Sequence, residues 1–208
     1  MYDGNKFYCV DSESISILQP EFESWMWRYL KVPKGGVFVD VGGHVGKYTI
    51  PMAKIVGENG LVIAIEAHPK NYKCLVENVR LNNLKNVVAL NMATWSEERK
   101  LKLFIGDSSG HHSLKMDFRR GFILIQARAL DDVLRELRVS KVDCIKIDVE
   151  GAELETLKGL RKTLREYRPI IIAEVRKENV DKVKEFLQEQ GYVMEGVAPM
   201  HYVLKPRS

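Results

Sequence analysis

The chain has 208 residues, 45% of them apolar and 29% charged, with a formal net charge of +4. That length fits one domain with a substantial core, no stretch approaches the ~20 apolar residues of a membrane span, and the mild charge calls for no tight nucleic-acid binding. Cys9, Cys74 and Cys144 are too few and too scattered for a disulfide framework or a zinc site, and Met1-Tyr-Asp-Gly-Asn-Lys6 has no apolar signal-peptide core, so no metal and a cytoplasmic location are expected.

Residues 1–35 read as a segment that packs on the main domain, residues 36–208. Phe7 to Val10 and Ile15 to Leu18 alternate and predict one or two small strands. Pro20 opens a predicted helix from Glu21 to Leu30 carrying Trp25 and Trp27.

Val37-Phe-Val39 is a buried strand that ends on Asp40, followed by the turn Gly42-Gly43-His44-Val-Gly46 and a helix from Thr49 to Val56. Strand, glycine turn and helix open a nucleotide-binding βαβ unit. A glycine cluster alone also describes a structural turn, the less favoured of the two readings. Asp40 narrows the choice, because a carboxylate beside the turn repels a pyrophosphate and suits a ligand with an ammonium group next to an adenosine. S-adenosylmethionine is such a ligand, whereas a nicotinamide dinucleotide is disfavoured by Asp40 and by the glycine spacing.

Leu61 to Ile65 is a second strand, ending on Glu66 and Ala67. An acid at that spacing past the glycine turn suits two ribose hydroxyls. A helix from Pro69 to Leu81 and a strand from Val87 to Leu90 follow. The loop after that strand, with Asn91, Ala93 and Thr94, is the adenine-side candidate.

Lys100 to Ile105 and Phe122 to Ile125 read as strands around a polar loop, Gly106 to Ser113, which carries Ser109, His111 and His112. Leu130 opens a short helix with an Asp cap. In Asp143-Cys-Ile-Lys-Ile-Asp148-Val-Glu150-Gly151-Ala-Glu153 the residues Cys144, Lys146 and Asp148 share one strand face, and Lys146 and Asp148 must neutralise each other or their neighbours. This strand delivers Asp148 and Glu150 to the switch point of the sheet, where ligands bind. Glu153 to Arg165 predicts one amphipathic helix, Pro169 to Val175 a strand ending near Glu174, and Asn179 to Gln190 a helix. A closing hairpin turns at Ala198-Pro199.

Several of these stretches resemble the FkbM-type methyltransferases. Val39-Asp40-Val-Gly42-Gly43-His44-Val-Gly46-x-x-Thr49 is similar to that family's glycine loop, with Gly43 and His44 where the family usually has Ala-Asn. Lys146-Ile-Asp148-Val-Glu150-Gly151-Ala152-Glu153 resembles its Lys-Ile-Asp-x-Glu-Gly-x-Glu signature, and Glu66-x-x-Pro69, Ser113-Leu114 and Leu130-Asp131-Asp132 fall where the family has them. The resemblance implies a class I, Rossmann-like α/β fold: a doubly wound, mostly parallel seven-stranded sheet with an antiparallel last strand. It also implies S-adenosyl-L-methionine as methyl donor. On this reading Asp40, Gly42, Gly43, His44, Gly46, Thr49, Glu66, Ala67, Asn91, Ala93, Thr94 and Asp148 hold the donor, and Glu150 and Asp148 are the catalytic candidates. The expected reaction is O-methylation of a hydroxyl on a small molecule, sugar or glycan. The alternatives are an RNA methyltransferase or a non-catalytic subunit that binds an adenosyl ligand.

Overall fold

The apolar runs of the sequence become the strands of one sheet. The computed structural model describes residues 4–207, so Met1 to Asp3, where the reading of the N-terminus begins, lie outside the described residues, as does Ser208. In chain order the first elements are α1 (Ser12–Ile17), a 3-10 turn (Ser24–Arg28), β1 (Val37–Val41), α2 (Thr49–Val56), β2 (Leu61–Ile65), α3 (Pro69–Leu81) and β3 (Val87–Leu90). Then come β4 (Ala93–Thr94), β5 (Arg99–Phe104), β6 (Phe122–Arg128), α4 (Leu130–Glu136), β7 (Cys144–Ile147), α5 (Glu153–Lys158) and α6 (Arg161–Glu166). The chain closes with β8 (Ile170–Glu174), α7 (Val180–Glu189), β9 (Tyr192–Ala198) and β10 (His201–Pro206).

Seven strands form one sheet in the order β3-β2-β1-β7-β8-β10-β9. β1, β2, β3, β7 and β8 run parallel, and β10 is antiparallel to both β8 and β9. The expected fold is therefore the observed one, including the antiparallel last strand. Every residue of β1 and of β7 is buried, as befits strands covered by helices on both faces. On one face Val39, Val41, Ile145 and Ile147 pack with Leu130, Leu157, Leu164 and Phe186. On the other, Phe38, Val62, Cys144 and Ile172 meet Tyr48 and Met52 near α2, and Met26, Leu30 and Val32 of the N-terminal segment. The chain leaves β1 toward β2 and β3 and returns on the opposite side at β7, so the switch point lies between β1 and β7.

Local chemistry overrode pattern in four places. Ile15 lies in a helix, because Asp11 and Ser14 form a reciprocal cap over α1, with Ser14 N–H donating to Asp11 Oδ1 at 2.9 Å and Asp11 N–H donating to Ser14 Oγ at 2.9 Å. The predicted helix from Glu21 to Leu30 is only a 3-10 turn, since Glu23 sits at φ 51°, outside any right-handed helix. The helix predicted from Glu153 to Arg165 breaks at Gly159, where a Cβ would stand 2.2 Å from the Trp95 carbonyl oxygen. Asp131 does not cap its own helix. Its carboxylate instead accepts the N–H groups of Lys162 (2.7 Å) and Thr163 (2.9 Å), capping α6.

β4, β6 and β5 make a second, three-stranded sheet beside the first. Leu103, Ile125 and Ala127 from its strands pack with Ala93, Trp95 and Ala152, so the segment between β3 and β7 carries its own small core. β4 is too short to have been legible in the sequence.

Candidate active site

Val37 to Val41 carry the chain to the carboxyl end of the sheet, where it must turn sharply into α2. Gly42 makes that turn at φ 80°, and a Cβ there would lie 1.9 Å from the carbonyl oxygen of Asp148. Only glycine permits both the conformation and this approach to β7. The turn is tied to the next strand: the N–H groups of Gly42 and Gly43 both donate to the Ile65 carbonyl at 2.9 Å. His44 follows at φ 49°, and Glu150, at the end of β7, at φ 52°. Non-glycine residues in this region are uncommon and cluster at functional sites.

A cavity of about 250 Å³ opens above these strand ends. Of the positions the sequence assigns to the donor, Gly42, Gly43, His44, Glu66, Ala67, Ala93, Thr94 and Asp148 line it, and so does Glu150. Asp40, Gly46, Thr49 and Asn91 are not on its wall, and each has a supporting position instead. Asp40 is fully buried beneath the turn, accepting the Thr49 hydroxyl at 2.6 Å and standing 3.6 Å from Lys146 Nζ. Gly46 N–H closes the turn on the Gly43 carbonyl at 2.8 Å. Asn91 Nδ2 donates to the carbonyl oxygens of Glu66 (2.9 Å) and Ala67 (3.0 Å), fixing the bend that presents the acid. An apolar strand end buries its last residue as readily as it exposes it, so a carboxylate beside the glycine turn reads as a ligand whether or not it faces the cavity.

Glu66 is held from two sides. One oxygen accepts the His44 N–H at 2.9 Å, and the other accepts the His68 N–H at 2.8 Å. Burial pushes its carboxyl up to about 7 despite these bonds. Oε1 also takes a longer contact from the Asn71 amide at 3.4 Å, so the free lone-pair capacity lies on Oε2, which accepts only the His44 N–H. Around it, three buried polar atoms of lining residues meet no hydrogen-bond partner: Nδ1 of His44, Nδ1 of His68 and Oδ1 of Asn71. Orphaned buried polar atoms are costly, and a polar ligand such as an adenosine with its ribose would supply the kind of partner they lack. The glycine cradle and these atoms fit an S-adenosyl ligand.

Lys146 sits at the centre of the site, 5% exposed at its side chain, with Nζ 2.8 Å from the Gly42 carbonyl oxygen, 3.4 Å from Asp148 and 3.6 Å from Asp40. The neutralisation expected of Lys146 and Asp148 is thus present and includes Asp40. Those two charges, with Glu23, outweigh burial and hold the ammonium above its usual range. Glu150 is ion-paired with Arg176, while Glu153 is structural, accepting the Gly151 N–H at 2.6 Å and the Asn179 amide at 2.7 Å.

The N-terminal segment and the polar loop close over the cavity together. Ser109 Oγ donates to Asp11 Oδ1 at 2.8 Å and lies 2.7 Å from the His44 Nε2, and Gly110 N–H donates to Glu13. His111 and His112 line the wall, with His112 stacked on His68 at 3.9 Å between ring centroids. The far end adds residues that spacing did not reveal: Glu23, Lys47, Tyr48 and Glu174. Their only signal in the sequence was the position of Glu174 at the end of another apolar strand.

The family model of the methyltransferase FkbM domain matches residues 40–194. A curated relative, Methyltransferase 1 of Beauveria bassiana, is 26% identical over 149 residues, covering 62% of this chain and 59% of the relative. The hexuronic acid methyltransferase AglP of Haloferax volcanii is 26% identical over 137 residues, covering 65% of this chain and 54% of that protein. Among solved structures, the FkbM methyltransferase of Methylobacillus flagellatus shares the fold at a TM-score of 0.63 and 17% identity, over 94% of this chain and 55% of that one. The chain thus spans little more than half the length of these relatives. Because the family model runs over more than half of the chain, through both the glycine turn and the β7 signature, the protein belongs to the FkbM methyltransferase family.

Proposed function

We propose that this chain transfers the methyl group of S-adenosylmethionine to a hydroxyl of a small molecule, sugar or glycan. The observation that carries the proposal is the single cavity wall shared by two groups: the glycine turn with Glu66 on one side, and Asp148 with Glu150 on the other. Glu66 holds the ribose hydroxyls. Gly42, Gly43 and His44 follow the methionine portion, and Ala67, Ala93 and Thr94 flank the base. When bound, the cofactor supplies a methyl carbon already activated on a positive sulfur, so the protein's task is to position it and exclude water.

The acceptor enters at the carboxylate end, where Asp148 and Glu150 orient hydroxyls by accepting their hydrogen bonds. Crowded carboxylates there favour a neutral polyol over an anionic acceptor. The Haloferax relative is named for a hexuronic acid; the sugar part of that name agrees with the acceptor proposed here, and its carboxylate does not. Nucleic acid is a poorer fit, because the cations of this end, Lys47, Lys146 and Arg176, are already paired with Glu23, Asp148 and Glu150. The test is incubation with methyl-labelled S-adenosylmethionine and a panel of neutral methyl pyranosides, uronic acids and bulk transfer RNA. Label in a neutral pyranoside is the expected result; label only in RNA contradicts the proposal.

A further inference from the structure

Four carboxylates stand at the acceptor end of the cavity, and three are committed. Asp148 lies 3.4 Å from Lys146 Nζ, and Glu150 is paired with Arg176. Glu23 accepts the Tyr48 hydroxyl at 2.6 Å and lies 3.7 Å from Lys47. To protonate any of these is to discharge a carboxylate whose cation stays charged beside it, which is unfavourable at a semi-buried site. Glu174 is different. It is the last residue of β8, adjacent to β7 in the sheet, and it lines the cavity. Among the described residues its one ion-pair partner is the His201 ring, with Nε2 3.6 Å from Oε2. His201 sits opposite Glu174 in the antiparallel β8–β10 register, and its Nδ1 is 2.7 Å from the Pro199 carbonyl oxygen. That bond fixes the ring so that Nε2 faces Glu174 and Glu23, the latter at 3.1 Å.

Resting on the proposed hydroxyl methylation, we infer that Glu174 is the general base of the reaction and that His201, held by Pro199 and Glu23, is its positioning residue. The acceptor O–H bond breaks, its proton goes to a Glu174 oxygen, and the electron pair left on the acceptor oxygen forms the new bond to the methyl carbon. The pair of the broken carbon–sulfur bond stays on sulfur. His201 donates from Nδ1 to the Pro199 carbonyl and from Nε2 toward Glu23, so the ring holds the Glu174 carboxylate in place, and the proton taken by Glu174 passes to solvent as the product leaves.

The charged groups that act on Glu174 are Asp148 and Glu150 after β7, Arg176 after β8, Glu23 from the N-terminal segment and His201 on β10. Burial first, then Asp148 and Glu150, push the Glu174 carboxyl up to about 7. Burial pulls His201 down, but Glu23, Pro199 and Glu174 outweigh it and hold the ring above its usual value. The ionised base therefore accumulates as pH rises through about 7.

The test compares Glu174→Gln and Glu150→Gln with wild type, using labelled S-adenosylmethionine and a methyl pyranoside, S-adenosylhomocysteine calorimetry and NMR titration of the His201 ring. For Glu174→Gln we expect a rate lower by about 10²-fold or more, loss of the limb that rises near pH 7, unchanged S-adenosylhomocysteine affinity and a lowered His201 titration. For Glu150→Gln the expected effect is a raised acceptor KM with the limb retained. A limb that disappears in Glu150→Gln and persists in Glu174→Gln overturns the inference, as does an unmoved His201 titration. Glu23, Glu174 and His201 also bring their donor atoms within 4.8 Å of one another, so a rate abolished by chelator and restored by a divalent cation would make them ligands and overturn it too. Failure of every pyranoside with S-adenosylhomocysteine still bound counts against the hydroxyl acceptor, and the ring titration then decides the pairing by itself.

Discussion

The two ends of the cavity are built in different ways. The proposed donor end comes from one continuous run, Gly42 to Thr94, in which β1, β2 and β3 pair in chain order and each delivers its following residues to the same side of the sheet. The proposed acceptor end is assembled from Glu23, Asp148, Glu150 and Glu174, contributed by separate parts of the chain, with His201 paired behind Glu174. Their chemistry also differs. The donor end offers backbone turns and unpartnered polar atoms, whereas the acceptor end is a set of ion pairs. A site made from consecutive βα units holds what the fold always holds; a site made from distant segments is free to vary and sets specificity.

Lys146 joins the two ends, and removing it should break both. Lys146→Met leaves Asp40 buried without its cation, a change that typically costs about 3–5 kcal/mol. Urea denaturation should record a loss of that size, and Lys146→Met combined with Asp40→Asn should recover part of it. A single variant as stable as wild type would mean that the ion pairs at the switch point carry little.

Gly42→Ala should act next most strongly, first on the donor end and through Asp148 on its neighbour. The added Cβ must move the Asp148 carbonyl, and the backbone strain at φ 80° contributes about 1–3 kcal/mol. Thermal unfolding at lower temperature, together with lost S-adenosylhomocysteine binding, is the expected pair of results. Normal binding would show that the turn and β7 need not touch.

Glu66 should give the donor end a pH signature. Its carboxyl is raised to about 7 in the folded protein, from an ordinary value of 4.5, by burial. The native state therefore binds the proton more tightly than the unfolded chain. Its stabilising contribution is complete below pH ~4.5 and is lost as pH rises toward about 7. Stability of the ligand-free protein, measured by denaturant titration across this range, should fall less steeply in Glu66→Gln than in wild type. Parallel curves would place the raised carboxyl elsewhere.

The same contrast explains what was legible in the sequence. Val37 to Val41, the glycine turn and Glu66 report themselves because strand periodicity, turn chemistry and ligand chemistry coincide within a few dozen residues. The Lys146–Glu153 stretch does so as well, since charges on a buried strand need partners. Asp40 was readable as important but not as a support, because nothing local distinguishes an acid facing the cavity from one facing Thr49 and Lys146. Glu23 and His201 were not readable at all. They meet only because β10 inserts between β8 and β9 and the N-terminal segment folds back over α2, and no local pattern encodes that approach. The N-terminal helix was missed for a smaller reason: the Asp11–Ser14 cap outweighed an alternating pattern only a few residues long.

The central claim is that the cavity above β1, β2 and β7 is the S-adenosylmethionine site, with Glu66 on the ribose. Calorimetry with S-adenosylhomocysteine tests it most directly. The account predicts one site per chain and a Glu66→Ala variant weakened by roughly 1–3 kcal/mol, the scale for losing hydrogen bonds to a charged group. Equal affinity in wild type and Glu66→Ala, or no binding to the wild-type protein, would contradict it.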